Sequence, residues 1–121
     1  MSPSQNFFDS IDPVLDPETY VFASIQQDEA IPPTAVALIR EAEGITVVVP
    51  NGTALSPQSI PMRRITLNIV TSLEMVGLTA HVARALSDEG IPANIVAGFH
   101  HDHIFVPAKM ADRAMDILSR S

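Results

Sequence analysis

The stretch Arg64–Ser121, RITLNIVTSLEMVGLTAHVARALSDEGIPANIVAGFHHDHIFVPAKMADRAMDILSRS, decides how this chain folds. In Arg64–Thr71 the apolar Ile65, Leu67 and Ile69 alternate with Thr66, Asn68 and Val70, the period of a strand with one buried face. Leu78–Glu89 changes to a helical period. Leu78, Val82, Ala85 and Leu86 form one stripe, and Gly90 supplies the stop. Ala93–Gly98 and His103–Val106 read as short strands joined by a tight, His-rich turn. Pro107 suits the first position of a helix. That helix buries Ala111, Ala114, Met115 and Leu118 and exposes Lys109, Asp112, Arg113, Asp116 and Arg120. Asp116 and Arg120 are spaced for an ion pair worth roughly a few tenths of a kcal/mol.

Strand, helix, strand, strand, helix is the order of a split βαβ layer. It predicts an α+β, ferredoxin-like fold with helices on one face of an antiparallel sheet. The first half is a worn version of the same order. Tyr20–Ile25 reads as a strand, and Ile45–Val49 as a strand buried on both faces. Ala35–Ala42 fits either a helix capped by Thr34 or a strand turning at Glu41–Gly44. Ala54–Ser59 has room for one helical turn between its prolines. Residues 1–18 hold three of the ten prolines and read as an arm with a short helix around Phe7–Ile11, docked on its own domain. The expected organisation is therefore an arm over 1–18, a partial half over 19–61 and a fuller half over 62–121.

Composition narrows the function. Hydrophobic residues make up 46%, enough for a core, and no apolar run is long enough to span a membrane. The N-terminus has no basic region ahead of an apolar one, so it does not read as a secretion signal. Cysteine is absent, which excludes thiol chemistry and Cys-based zinc sites. A cytoplasmic location is expected. The net charge of −7 repels phosphate backbones, and with no Trp and one Tyr there is little to stack on bases. Nucleic acid is not an expected partner. The adjacent Arg63 and Arg64 read as a solvated strand end.

From about Pro13 onward the chain resembles a family of small bacterial ACT-domain proteins without an assigned activity. The most specific stretches are Ser72–Ala80, SLEMVGLTA, and Ala97–Pro107, AGFHHDHIFVP. The resemblance implies a βαββαβ fold, here as two ACT-like halves sharing an antiparallel sheet, and it favours a strand for Ala35–Ala42. It also implies a regulatory module that binds amino acids at a subunit or repeat interface, usually as a side-by-side dimer. The ligand loop of that superfamily falls on Ser72, Leu73, Glu74, Met75, Val76, Gly77 and Leu78, with glycine matched at Gly77. The acidic residue and proline common around that glycine are not matched here; Glu74 lies three residues earlier.

Two clusters carry chemistry. Backbone N–H groups at the start of the Leu78 helix suit an amino-acid carboxylate, Glu74 suits its ammonium, and Thr79 adds a hydroxyl. The alternative is that Gly77 merely permits a turn and Glu74 is a solvated acid. Asn94 is the polar residue of an apolar strand and lines either a ligand crevice or the solvent face. His100, His101, Asp102 and His103 form the second cluster, with the chemistry of a metal site. Consecutive residues at a hairpin rarely converge on one ion. The expected reading is therefore a polar turn, with Asp102 accepting backbone hydrogen bonds. No G-x-S-x-G, phosphate loop or H-E-x-x-H occurs, so neither a catalytic activity nor a cofactor is expected. The sequence thus predicts a sensor of amino acids or related small metabolites. It would act as a homodimer or higher homo-oligomer and signal to an unidentified protein partner. A metal-binding module and a purely structural interaction domain are the alternatives.

Overall fold

The computed structural model describes residues 11–69 and 76–120. Its elements in chain order are strands β1 (Pro13–Ile25), β2 (Ala37–Arg40), β3 (Ile45–Pro50) and β4 (Met62–Leu67), then helix α1 (Leu78–Ser87). Strands β5 (Asn94–Ala97) and β6 (Asp102–Pro107), a 3-10 turn over Ala108–Met110 and helix α2 (Ala111–Ser119) follow. The chain divides into a larger unit, Met1–Pro17 with Arg63–Ser121, and a smaller one, Glu18–Met62. β1 supplies its first residues, Pro13–Pro17, to the larger unit and the rest to the smaller.

In the larger unit the strand order is β1-β4-β6-β5. That is the ferredoxin-like layer the sequence predicts, with one difference. The place beside β4 is taken by Pro13–Pro17, residues the sequence assigned to the arm. Their hydrophobic pattern is weak because two prolines and Asp16 interrupt it, and pairing with β4 makes them a strand. The Asn68 N–H donates to the Asp12 carbonyl at 2.9 Å at one end of this pairing. Ile11, the one described residue of the expected short helix, is 1% exposed in the core; Phe7 and Phe8 lie outside the described residues.

The core of this unit follows directly from the two periods. Ile65 and Leu67 from β4, and Ile104 and Val106 from β6, point to one side of the sheet. They meet Leu78, Val82 and Leu86 of α1 and Ala111, Ala114, Ile117 and Leu118 of α2. α1 ends as Gly90 enters the left-handed region, with φ 74. The Ile91 N–H then bonds the Leu86 carbonyl and the Gly90 N–H that of Ser87, both at 3.0 Å. Pro107 differs from expectation. With ψ 135 it closes β6, and α2 starts only after the 3-10 turn; the fixed φ of proline fits a strand end as well as a helix start. Asp116 and Arg120 form the expected pair at 3.3 Å.

The smaller unit has the order β2-β3-β1. β1 runs antiparallel to β3 from Tyr20 opposite Pro50 to Ile25 opposite Ile45. Ala37–Arg40 is indeed a strand, paired with β3 from Ala37 opposite Val48 to Arg40 opposite Ile45. Val21, Ala23, Ile25, Ile45, Val47 and Val49 form its core. Val48 is buried as well, so β3 is covered on both sides, as its unbroken apolar run predicts. The helical turn expected at Ala54–Ser59 is absent. The Ser59 N–H donates to the Phe22 carbonyl at 2.7 Å, and Ser59 Oγ accepts from the Phe22 N–H at 2.9 Å. Strand-like pairing with β1 outcompetes one isolated turn.

Two substitutions test this account by chemical denaturation. Leu86→Ala removes a fully buried side chain and should cost about 2–5 kcal/mol. Gly90→Ala should cost only about 1–2 kcal/mol, because a Cβ there meets nothing within 4 Å and the penalty is conformational alone.

Candidate functional site

Several segments of the larger unit come together where β4 ends and the β5–β6 hairpin turns. Ile69 and His101 meet there, with His101 Nδ1 3.0 Å from the Ile69 carbonyl oxygen, a contact that requires this nitrogen to carry the proton. The Gly98 N–H donates to the His101 carbonyl at 2.9 Å and closes the hairpin. Phe99 and His100 project from its tip. Phe99 is 79% exposed and stands edge-on to the His100 ring, with centroids 5.2 Å apart.

α1 enters through Gly77, whose φ of 102 and ψ of −25 place it in the left-handed region that suits glycine. Among the described residues no side chain caps the helix, and its first turn has no acidic residue. The first N–H groups of α1 are therefore not neutralised locally by a side chain, the condition under which a helix start attracts an anion. Of the expected loop, Ser72, Leu73, Glu74 and Met75 lie outside the described residues. Val76 is 91% exposed and Thr79 is exposed, whereas Leu78 is buried.

Asn94 stands apart from this end. It opens β5, opposite Phe105, and the strand runs from there toward the hairpin. It is exposed, and its Nδ2 donates to the Phe105 carbonyl at 3.3 Å. The His-rich turn also differs from expectation. Asp102 is 8% exposed and forms the first residue of β6 rather than part of the turn. His103 lies on β6 with Nδ1 2.9 Å from Thr66 Oγ1. His100, His101 and His103 thus point to different partners. Among the described residues no three His, Asp or Glu side chains come close enough to hold a metal ion.

A polar network that the sequence did not reveal ties β4 to β1. Both Nε and Nη2 of Arg64 donate to Asp16 Oδ2, at 3.1 and 2.8 Å. Arg63 donates to the Asp16 main-chain carbonyl, at 2.8 Å from Nη2. The two arginines read as solvated are half-buried and tied to one residue of β1. Side-chain exposures of 23% for Arg64 and 16% for Asp16 make this pair less screened than a surface one. Only the strand pairing reveals it, since 47 residues separate Asp16 from Arg63.

Burial pushes the His103 imidazole below its ordinary value of 6.5, and the nearby Arg64 and His101 push in the same direction against Asp102. The unfolded chain then binds the proton more tightly than the folded one. Stability should fall as pH drops below 6.5 and be fully retained above it. His103→Gln should flatten that decline, as measured by urea unfolding at neutral and at acidic pH; an unchanged slope would show that other groups carry it.

The chain's relatives agree with this architecture. An ACT-domain model matches residues 59–120, and a second ACT-domain model matches residues 5–60. A Vibrio cholerae protein of unknown function, named as a possible transport protein, shares 35% identity over 95% of this chain and 93% of its own, with a TM-score of 0.80. An Agrobacterium tumefaciens protein is similar at 22% identity over 84% of this chain and 81% of its own, TM-score 0.69. The ligand-free regulatory subunit of aspartate kinase from Thermus thermophilus has the same fold at 12% identity, over 88% of this chain and 92% of its own, TM-score 0.60. No curated protein matches the chain in sequence. No helix among the described residues is long and apolar enough to cross a membrane. With both halves matched, the chain belongs to the ACT-domain family.

Proposed function

We propose that this protein is a sensor of a free amino acid or a closely related metabolite. Domains of this family are regulatory, and the regulatory ligand-binding role is the part that family membership carries. The ligand class is our reading. The observation that supports it most is the start of α1, a helix that no described side chain caps and that is entered through a left-handed glycine. Such a start suits a ligand carboxylate, which would accept from the backbone N–H groups of Leu78 and Thr79. Ser72–Val76 would complete the loop, with Glu74 offered to the ammonium. Asn94 sits away from this end and already uses one amide hydrogen on its own chain. It would contribute from a second copy, its remaining N–H and Oδ1 facing the ligand. β5 and β2 are terminal in their strand orders, and either edge could pair with a second copy to form the homodimer. The signal would then leave through a change in association, read by a protein partner.

The test is thermal unfolding in the presence of each of the twenty amino acids. A ligand near 100 times its Kd should stabilise by about 2.7 kcal/mol, several degrees in Tm for a domain of this size. A flat response to the whole panel would count against the amino-acid reading. Gly77→Ala should abolish the shift by distorting the helix start, at a cost of about 1–2 kcal/mol to the unliganded fold. Retained binding in that variant would remove the loop from the site.

A further inference from the structure

A second feature of the larger unit concerns the ligand's positive end. Next to the end of β4 lies a cavity of about 440 Å³, lined among the described residues by Asp12, Pro13, Asn68, Ile69, Leu118 and Ser119 with Ile11 at its base. The volume falls in the range of small-molecule sites. Its chemistry is one-sided. Asp12 brings a carboxylate. α2 ends there at Leu118 and Ser119. Arg120 turns back along α2, its Nε donating to the Asp116 carbonyl at 3.2 Å and its Nη2 pairing with the Asp116 carboxylate at 3.3 Å. None of the cavity's described lining residues is Lys, Arg or His.

Asp12 is also held in an unusual way. Its φ of 44 makes it the non-glycine residue with a left-handed backbone among the described residues. Its main-chain carbonyl accepts from the Asn68 N–H at 2.9 Å, and Oδ2 accepts from Asn68 Nδ2 at 3.2 Å. The two bonds fix both the backbone and one carboxylate oxygen. Oδ1 keeps its acceptor capacity for a further donor. A carboxylate braced this way, beside a helix C-terminus, is preorganised for a compact cation with several N–H donors.

We infer that this cavity binds a small primary ammonium group, with Asp12 as its counter-ion and Asn68 as the residue that positions Asp12. This deepens the amino-acid reading, on which its physiological ligand rests. It assigns the ammonium to Asp12 in place of Glu74, and Asp12 is far from the Ser72–Val76 loop in sequence. An amino acid and a simple amine share this chemistry.

The experiment follows the side-chain amide of Asn68 and the backbone amide of Ser119 by ¹⁵N-resolved NMR of the full chain. The probes are the twenty amino acids, the 2-hydroxy acid corresponding to any that binds, and ethylamine. Amine-bearing probes should move both resonances and the 2-hydroxy acid should move neither. Asp12→Asn removes the charge but keeps a side chain that tolerates left-handed backbone, so it should fold and lose roughly tenfold or more in affinity. Ser119→Lys, on an exposed position, places a competing ammonium at the cavity and should also abolish binding. Amino-acid binding that Asp12→Asn leaves unchanged, or that moves neither resonance, overturns the inference while the sensor reading stands. Ethylamine binding that depends on Asp12, with no response to any amino acid, supports the inference and removes the amino-acid reading. No response to any amine-bearing probe overturns it outright.

Discussion

The larger unit depends on Pro13–Pro17 lying alongside β4. A strand at that position must satisfy the outward N–H and C=O groups of β4, which would otherwise form an open edge. Residues flanked by two prolines are poor strand formers alone, and the structure compensates with side chains. Asp16 accepts from Arg63 through its carbonyl and from Arg64 through its carboxylate, and the Asp12 carbonyl accepts from the Asn68 N–H. The same pairing brings Ile11 into the core and sets Asp12 beside the end of α2. Loosening it would therefore remove a strand, a core residue and a carboxylate together.

The pleat of β4 and β6 divides labour between the two sides of that sheet. Ile65, Leu67, Ile104 and Val106 give one side entirely to the helices. Arg64, Thr66 and His103 fall on the other side by the same alternation, close enough for Thr66 to hydrogen-bond His103 and for Arg64 to add to the lowering of its proton affinity by burial. The lowered proton affinity of His103 is thus a consequence of register. A slip of one residue in β6 would bury the imidazole among the helices and expose Ile104.

Helix termini set the electrostatics of the hairpin end. Among the described residues no side chain caps the start of α1, which favours an anion, and the Asp12 carboxylate beside the end of α2 favours a cation. A zwitterion is the simplest small molecule that carries both charges. In a chain with net charge −7, a carboxylate reaching such a surface gains from a local positive terminus, while an ammonium is favoured almost anywhere.

The sequence by itself determined the elements whose period is strong. The alternation of Arg64–Thr71, the stripe of Leu78, Val82 and Leu86 and the unbroken apolar run of Ile45–Val49 each have a single way to bury their side chains, and the structure uses it. The family was legible most specifically in Ser72–Ala80 and Ala97–Pro107. Tertiary structure alone decided the features that depend on pairing between distant residues. Pro13–Pro17 became a strand, and Ala54–Ser59 lost its helical turn, because β4 and β1 offered hydrogen bonds that local propensity could not match. Asp102 went inward because β6 begins one residue earlier than its apolar run suggests. Asp12, Asp16, Arg64 and Thr66 gave no local signal, since each acquires its role from a partner at least 37 residues away in the chain. Periodicity records which face of an element is buried; it carries no information about which element lies beside it.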